Sequence, residues 1–194
     1  MFAERIEKEE LKALPVKSFE GEIIIIDDAK DLEEYIPYLF KQTVIGFDTE
    51  TRPSFKKGKL NPVALMQLST DEYAFLIRLN KTEMPEPVKR ILNDDQIVKA
   101  GVAISNDISG LRRSFDIEPA NFIDLQVYTE DFDILDNALT KLCGIILNFN
   151  ISKSQRISNW ENEELTDAQK RYAATDAWVC FEIYNKLEKY ETAI

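Results

Sequence analysis

Val44-Ile45-Gly46-Phe47-Asp48-Thr49-Glu50 is the stretch from which the rest of the chain is read. An apolar run leads into two acids separated by one residue. Side chains alternate along a strand with a period of two, so Asp48 and Glu50 project to the same side. Two carboxylates at the end of a buried strand repel each other and resist desolvation. A divalent cation relieves both problems. A loop with two incidental acids after a strand gives the same local pattern, so the decision rests on what lies around and downstream.

At 194 residues the chain is long enough for one full domain with its own core. Hydrophobic residues make up 44% and charged residues 30%, which places it among ordinary globular proteins rather than disordered ones. No apolar run approaches the ~20 residues that span a bilayer. The start, Met1 to Glu10, lacks the basic and apolar regions of a signal peptide. A cytoplasmic protein with no membrane association is expected. Histidine is absent, which removes Ser-His-Asp triads, Cys-His dyads and histidine zinc sites. Cys143 and Cys180 form no Cys-x-x-Cys pair and read as buried free thiols. A hydrolase of this composition must work with carboxylates and a metal. The net charge of −11 argues against tight nonspecific nucleic-acid binding, which needs clustered Lys and Arg. It does not exclude chemistry on a single phosphate held by a metal.

Working outward, residues 1–20 are charged, carry Pro15 and read as an arm or short helix outside the core. The domain proper is expected over 21–194. Glu22–Asp27 reads as a strand. Asp28–Lys41 has helical spacing, with Leu32, Tyr35, Ile36 and Leu39 on one face. After the loop 51–62, Val63–Ser69 and Tyr73–Ile77 read as paired strands. A helix at Glu86–Asn93, a strand at Ile97–Gly101, a helix from Asp107 to Phe115 and a short strand at Asn121–Leu125 follow. Helical segments fill 126–148, and a long helix runs from about Thr166 to Tyr190. This order predicts an α/β fold, a ribonuclease-H-like mixed β-sheet flanked by helices on both faces.

Two more acidic positions fit the first pair. Asp107 follows a buried strand near the start of a helix, a place where aspartate is favoured by capping and the helix dipole alone. In Tyr172-Ala-Ala-Thr-Asp176, residues i and i+4 share one helix face, so a phenol and a carboxylate stand together among small alanines. An amphipathic helix with a buried tyrosine explains that segment by itself. Structure alone does not easily explain all three together.

With these residues in hand, the chain resembles the DEDD 3′→5′ exonuclease superfamily, tyrosine type. Phe47-Asp48-Thr49-Glu50 matches its first motif, Ser105-Asn106-Asp107 its second and Tyr172-Ala-Ala-Thr-Asp176 its third. Further similarity lies in Gly46–Phe55, Ile117–Pro119, Lys153–Trp160 and Leu165–Tyr172, chiefly to Werner-type exonuclease domains and more distantly to the ribonuclease D group. The resemblance spans about residues 20–190. It implies two Mg²⁺ or Mn²⁺ ions ~4 Å apart clamping the scissile phosphate, with Asp48 bridging, Glu50 and Asp176 completing one site and Asp107 serving the other. It also implies that Tyr172 orients the attacking water, since a phenol of pKa ≈ 10 is a poor base at pH 7. The expected partner is a nucleic-acid 3′ end, single-stranded or frayed DNA with RNA as the alternative, released as nucleoside 5′-monophosphates. Thr49, Thr51, Arg52, Lys153 and Arg156 are candidate substrate contacts, with Lys56, Lys57 and Lys59 beside them. Trp160 is a candidate for base stacking or for anchoring its loop, packing being the favoured role. The rival readings are ribonuclease D-like RNA processing and a catalytically silent binding module; the presence of all four acids and the tyrosine counts against the latter.

Overall fold

The computed structural model describes residues 1–54, 56, 58 and 60–192. Phe55, Lys57 and Lys59, named above, lie outside the described residues. Six strands form one mixed sheet. They are β1 (Glu22–Ile26), β2 (Val44–Thr51), β3 (Val63–Ser69), β4 (Tyr73–Ile77), β5 (Val98–Gly101) and β6 (Phe122–Asp124), in spatial order β1-β4-β3-β2-β5-β6. β2, β3 and β4 form an antiparallel meander, while β1 joins β4, β5 joins β2 and β6 joins β5, each in parallel. This is the expected ribonuclease-H-like sheet.

The period-two alternation of the strands sorts side chains onto two faces. Phe47, Met66, Leu68, Phe75 and Ile77 point into a cluster completed by Val88, Ile91, Leu92 and Leu111. Those last four come from α4 (Glu86–Asn93), which follows the single turn α3 (Leu79–Thr82), and from α5 (Ser105–Ser114). Leu65, Ala74 and Leu76 point the other way, against Trp160, Ala173 and Ala174. The 25-residue helix α8 (Asp167–Glu191) covers that face. Its start is set by a reciprocal cap, in which Gln169 N donates to Thr166 Oγ1 at 3.2 Å and Thr166 N donates to Gln169 Oε1 at 3.0 Å. No helix among the described residues is long and apolar enough to cross a membrane.

Two segments differ from their sequence spacing. The stretch 28–41 forms a 3₁₀ helix over Ala29–Tyr35 and then one α turn, α2 (Ile36–Leu39); Leu32 and Leu39 are buried, as the apolar face requires, but Pro37 stands near the start of the second piece and breaks the run. The span 126–148 is a series of short turns, α6 (Leu125–Tyr128), α7 (Leu139–Leu142) and a π-helical turn over Cys143–Leu147. In the arm, α1 (Lys8–Ala13) buries no residue. Beyond it Phe19 is 1% exposed and packs with Trp160 and Ala174.

Candidate active site

β2 is flanked by β3 and β5, and its two acids occupy its last turns of pleat. Asp48 pairs across the ladder with Gln67, and Glu50 with Leu65. The register shifts between Glu50 and Thr51, an irregularity of the kind that ends pairing beside active sites. What brings the third acid close is a glycine. A Cβ at Gly46 would lie 2.0 Å from the Ala177 carbonyl oxygen and 2.9 Å from Phe181 N. Helix α8 therefore rests backbone to backbone on β2. Asp176 precedes Ala177, so this contact sets it beside Asp48.

Among the described residues, Asp48, Glu50 and Asp176 offer carboxylate oxygens that all lie within 4.8 Å of one another. Asp48 and Glu50 are half-buried and Asp176 is 7% exposed. None of the ion pairs formed among the described residues involves these three groups. Burial, and then the charges of Asp176, Glu50 and Asp107, holds the Asp48 carboxyl well above the usual carboxylate range. Burial raises Glu50 to about 9, with Asp176 and Asp107 adding to it. The indole of Trp160 beside Glu50 works against that rise, although its buried Nε1 lies outside hydrogen-bond geometry. Burial raises Asp176 to about 7, tempered by the Tyr172 hydroxyl and by the charge of Lys153. Three carboxyl groups crowded in one half-dry place, each reluctant to ionise alone and offering only oxygen donors, fit a hard divalent cation such as Mg²⁺ or Mn²⁺.

Asp107 lies outside this trio. It sits in the first turn of α5 and accepts a hydrogen bond from the Thr49 hydroxyl. Burial raises its pKa while the Thr49 bond lowers it. The turn leading to α5 places Ala103 at φ 58°, a left-handed conformation unusual for alanine, and Asp124 holds that turn by accepting from Ala103 N at 3.0 Å. Nothing in the local sequence marks Asp124 for this role. Tyr172 stands one helical turn before Asp176, half-buried. Burial first, and then Asp176 and Glu50, raises its phenol above the ordinary tyrosine value, so it keeps its proton at neutral pH.

Cavities flank the acids on two sides. One of about 520 Å³ is lined by Thr49, Glu50, Thr51, Arg52 and Asp107, together with Asn61, Asn106 and Arg113, which the sequence did not single out. The other, about 150 Å³, is lined by Lys153, Arg156, Tyr172 and Asp176. Thr51, Arg52, Lys153 and Arg156 are exposed. Arg52 is already paired with Glu161 at 3.2 Å. Trp160 is fully buried, its ring 6.1 Å from that of Tyr172.

Comparison with known proteins places these residues in a wider set. A family model described as 3′-5′ exonuclease matches residues 23–190, a span holding all four acids and the tyrosine. The mouse bifunctional 3′-5′ exonuclease/ATP-dependent helicase WRN is 37% identical over 185 residues, covering 90% of this chain and 13% of that protein. The crystal structure of the Aedes aegypti Nibbler EXO domain superposes with a TM-score of 0.80 at 26% identity, covering 92% of this chain and 94% of the other. Escherichia coli RNase D, at 24% identity and a TM-score of 0.77 over 90% of this chain and 46% of its own, shares the fold.

Proposed function

This chain belongs to the 3′-5′ exonuclease family, and from that premise we propose that it is a metal-dependent enzyme that shortens nucleic acids from their 3′ ends, DNA in preference, releasing nucleoside 5′-monophosphates. The observation that carries the reading is the meeting of Asp48, Glu50 and Asp176 within 4.8 Å, with Tyr172 one helical turn away. A binding module has no use for three clustered, partly or wholly buried carboxylates held against their own repulsion.

In this mechanism two divalent cations, when bound, supply charge stabilisation to the scissile phosphate and the leaving 3′ oxygen and a nucleophile near neutral pH. Asp48, Glu50 and Asp176 would hold such ions, and Asp107, steadied by Thr49, would complete their ligands. Tyr172 keeps its proton and orients the water by hydrogen bonding rather than by deprotonating it. The 520 Å³ cavity beside Glu50 is roomy enough for the terminal nucleotide, with Thr51 and Arg52 at its edge. Lys153 and Arg156 stand on the opposite side, near Asp176. Trp160 backs Glu50 and Tyr172 from the core. The DNA preference rests on the resemblance of the stretches 46–55 and 153–172 to Werner-type exonuclease domains.

The test is a labelled-end assay. Protein with Mg²⁺ or Mn²⁺ is given 5′-labelled DNA and RNA, single-stranded or recessed. A ladder shortening from the 3′ end, faster on DNA, is expected. Internal cuts would overturn the exonuclease assignment, strict dependence on RNA would replace the DNA preference with a ribonuclease D-like role, and no metal-dependent turnover would leave the silent module.

A further inference from the structure

The arm is fixed to the body at two points. Asn150 N donates to Pro15 O at 2.9 Å and Lys17 N donates to Asn150 O at 2.8 Å, so Val16 lies in a parallel bridge with Asn150. Two residues later Phe19 N donates to Thr175 Oγ1 at 3.0 Å, and the Arg171 guanidinium donates to Phe19 O at 3.4 Å. Between these ties the arm stands off from α8 and leaves a cavity of about 300 Å³. It is lined by Val16, Lys17 and Ser18 of the arm, by Ser152 and Ser154, and by Arg171 of α8. Tyr172 and Ser152 line this cavity and also the one that holds Asp176, so the two adjoin at the tyrosine.

Cations gather on this side of the molecule. Lys17 and Arg171 here, and Lys153 and Arg156 next door, are four cations in a protein of net charge −11. Among the described residues none of the four takes part in an ion pair. Lys17 Nζ instead rests 5.2 Å above the ring of Phe149. Val16, a large apolar residue 66% exposed, stands at the same cavity. Unpaired cations beside apolar and aromatic surface, with serine hydroxyls in the lining, match the parts of a nucleotide: phosphate, base and sugar.

We propose that the arm and α8 form a subsite for nucleotides upstream of the scissile phosphate, with Lys17 and Arg171 as its phosphate contacts and Val16 and the flank of Tyr172 as its packing surface. The assignment rests on the exonuclease reading. A strand whose terminal phosphate lies at the acids brings one further phosphate for each upstream nucleotide, and the cations beyond Tyr172 are where those charges find partners. The arm thereby becomes part of the substrate groove.

The experiment uses the full chain and two substrates. A dinucleotide with a 5′ hydroxyl carries only the scissile phosphate, whereas a 5′-labelled octanucleotide also carries the upstream ones. Lys17→Gln and Arg171→Gln, singly and together, are assayed on both across a salt series. Each substitution should raise KM on the octanucleotide roughly threefold, as for an exposed ion pair, and reduce the slope of log KM against log salt by about one. The double variant's loss on the octanucleotide should exceed its loss on the dinucleotide by about tenfold. Because Arg171 also ties Phe19, Lys17→Gln is the cleaner variant, and Lys17→Arg should recover the octanucleotide KM. Equal losses on both lengths, an unchanged salt slope, or no recovery with Lys17→Arg would overturn the subsite. If wild type hydrolyses neither substrate, the exonuclease reading fails instead. Anisotropy of the labelled octanucleotide, tighter by about tenfold for wild type than for the double variant, then still decides the subsite.

Discussion

Asp136 and the Asp48–Glu50–Asp176 group are both acidic and both shielded from water, yet they are built on opposite terms. Asp136, 7% exposed, accepts from Lys141 Nζ at 2.7 Å and from Ile6 N at 2.9 Å, with Arg5 at 3.8 Å. Burial alone would raise its pKa; Lys141, the Ile6 amide and Arg5 outweigh that and hold it below the usual range. At Asp48 and Glu50 burial also raises the pKa values, and the neighbouring acids push in the same direction. An acid kept for the fold brings its own counter-charges. The trio takes part in no ion pair among the described residues, and Lys153 tempers Asp176 only from beyond ion-pair distance.

The sharpest way to break this contrast is to remove an acid from the trio. Asp48→Ala or Asp176→Ala should lower nuclease turnover by at least about a thousandfold, the equivalent of several kcal/mol of lost charge stabilisation. The metal-free melting temperature should stay level or rise, because the repulsion is relieved. Added Mg²⁺ or Mn²⁺ should stabilise wild type more than either variant. Substantial turnover in either variant would end the two-metal assignment.

Acidity gives a second test, with opposite signs at the two regions. The raised carboxyls contribute stability that is complete below ~4, where the unfolded chain still holds its protons, and is lost as pH climbs through about 7 for Asp176 and about 9 for Glu50. Asp136 contributes in the reverse sense, above ~3.9, and its share is lost as pH falls through its depressed folded value. Melting curves in chelator from pH 5 to 9.5 should therefore decline, and saturating Mg²⁺ should flatten them. A level profile in chelator would contradict the uncompensated trio.

Tyr172→Phe should slow single-turnover cleavage by the equivalent of about 2–4 kcal/mol, as for removal of one preorganised donor, while metal titrations stay close to wild type. An unchanged rate would make Tyr172 a packing residue. The smallest effect belongs to the compensated acid. Lys141→Ala, at a partly exposed partner, should cost about 1 kcal/mol of stability and leave turnover unaffected. A loss of turnover without a loss of stability would show that Asp136 serves the site after all.

Much of this was legible because the deciding signals are local. The alternation in Val44–Glu50 places Asp48 and Glu50 on one side, the hairpin Val63–Ser69 with Tyr73–Ile77 appears with the bounds read from its turn residues, and the small residues around Asp176 foretell close packing. The remainder depends on contacts between distant segments. The capture of Arg52 by Glu161, the bond from Thr49 to Asp107 and the grip of Asp124 on Ala103 each join residues with no shared motif. The burial of Phe19 hides in a charged, weakly periodic arm for the same reason: its pocket is made by Trp160 and α8, far away in the chain. Gly46 is the intermediate case. A glycine inside a strand signals close approach of another backbone, but not which helix approaches.

That contact between Gly46 and Ala177 has a consequence for the life of the protein before it is finished. Asp48 and Glu50 leave the ribosome early, and Asp176 arrives on the last helix, which reaches its place only by settling onto the bare backbone of Gly46. Until then the three acids never meet. A chain that stops anywhere ahead of α8 carries two of the three acids and cannot assemble the trio.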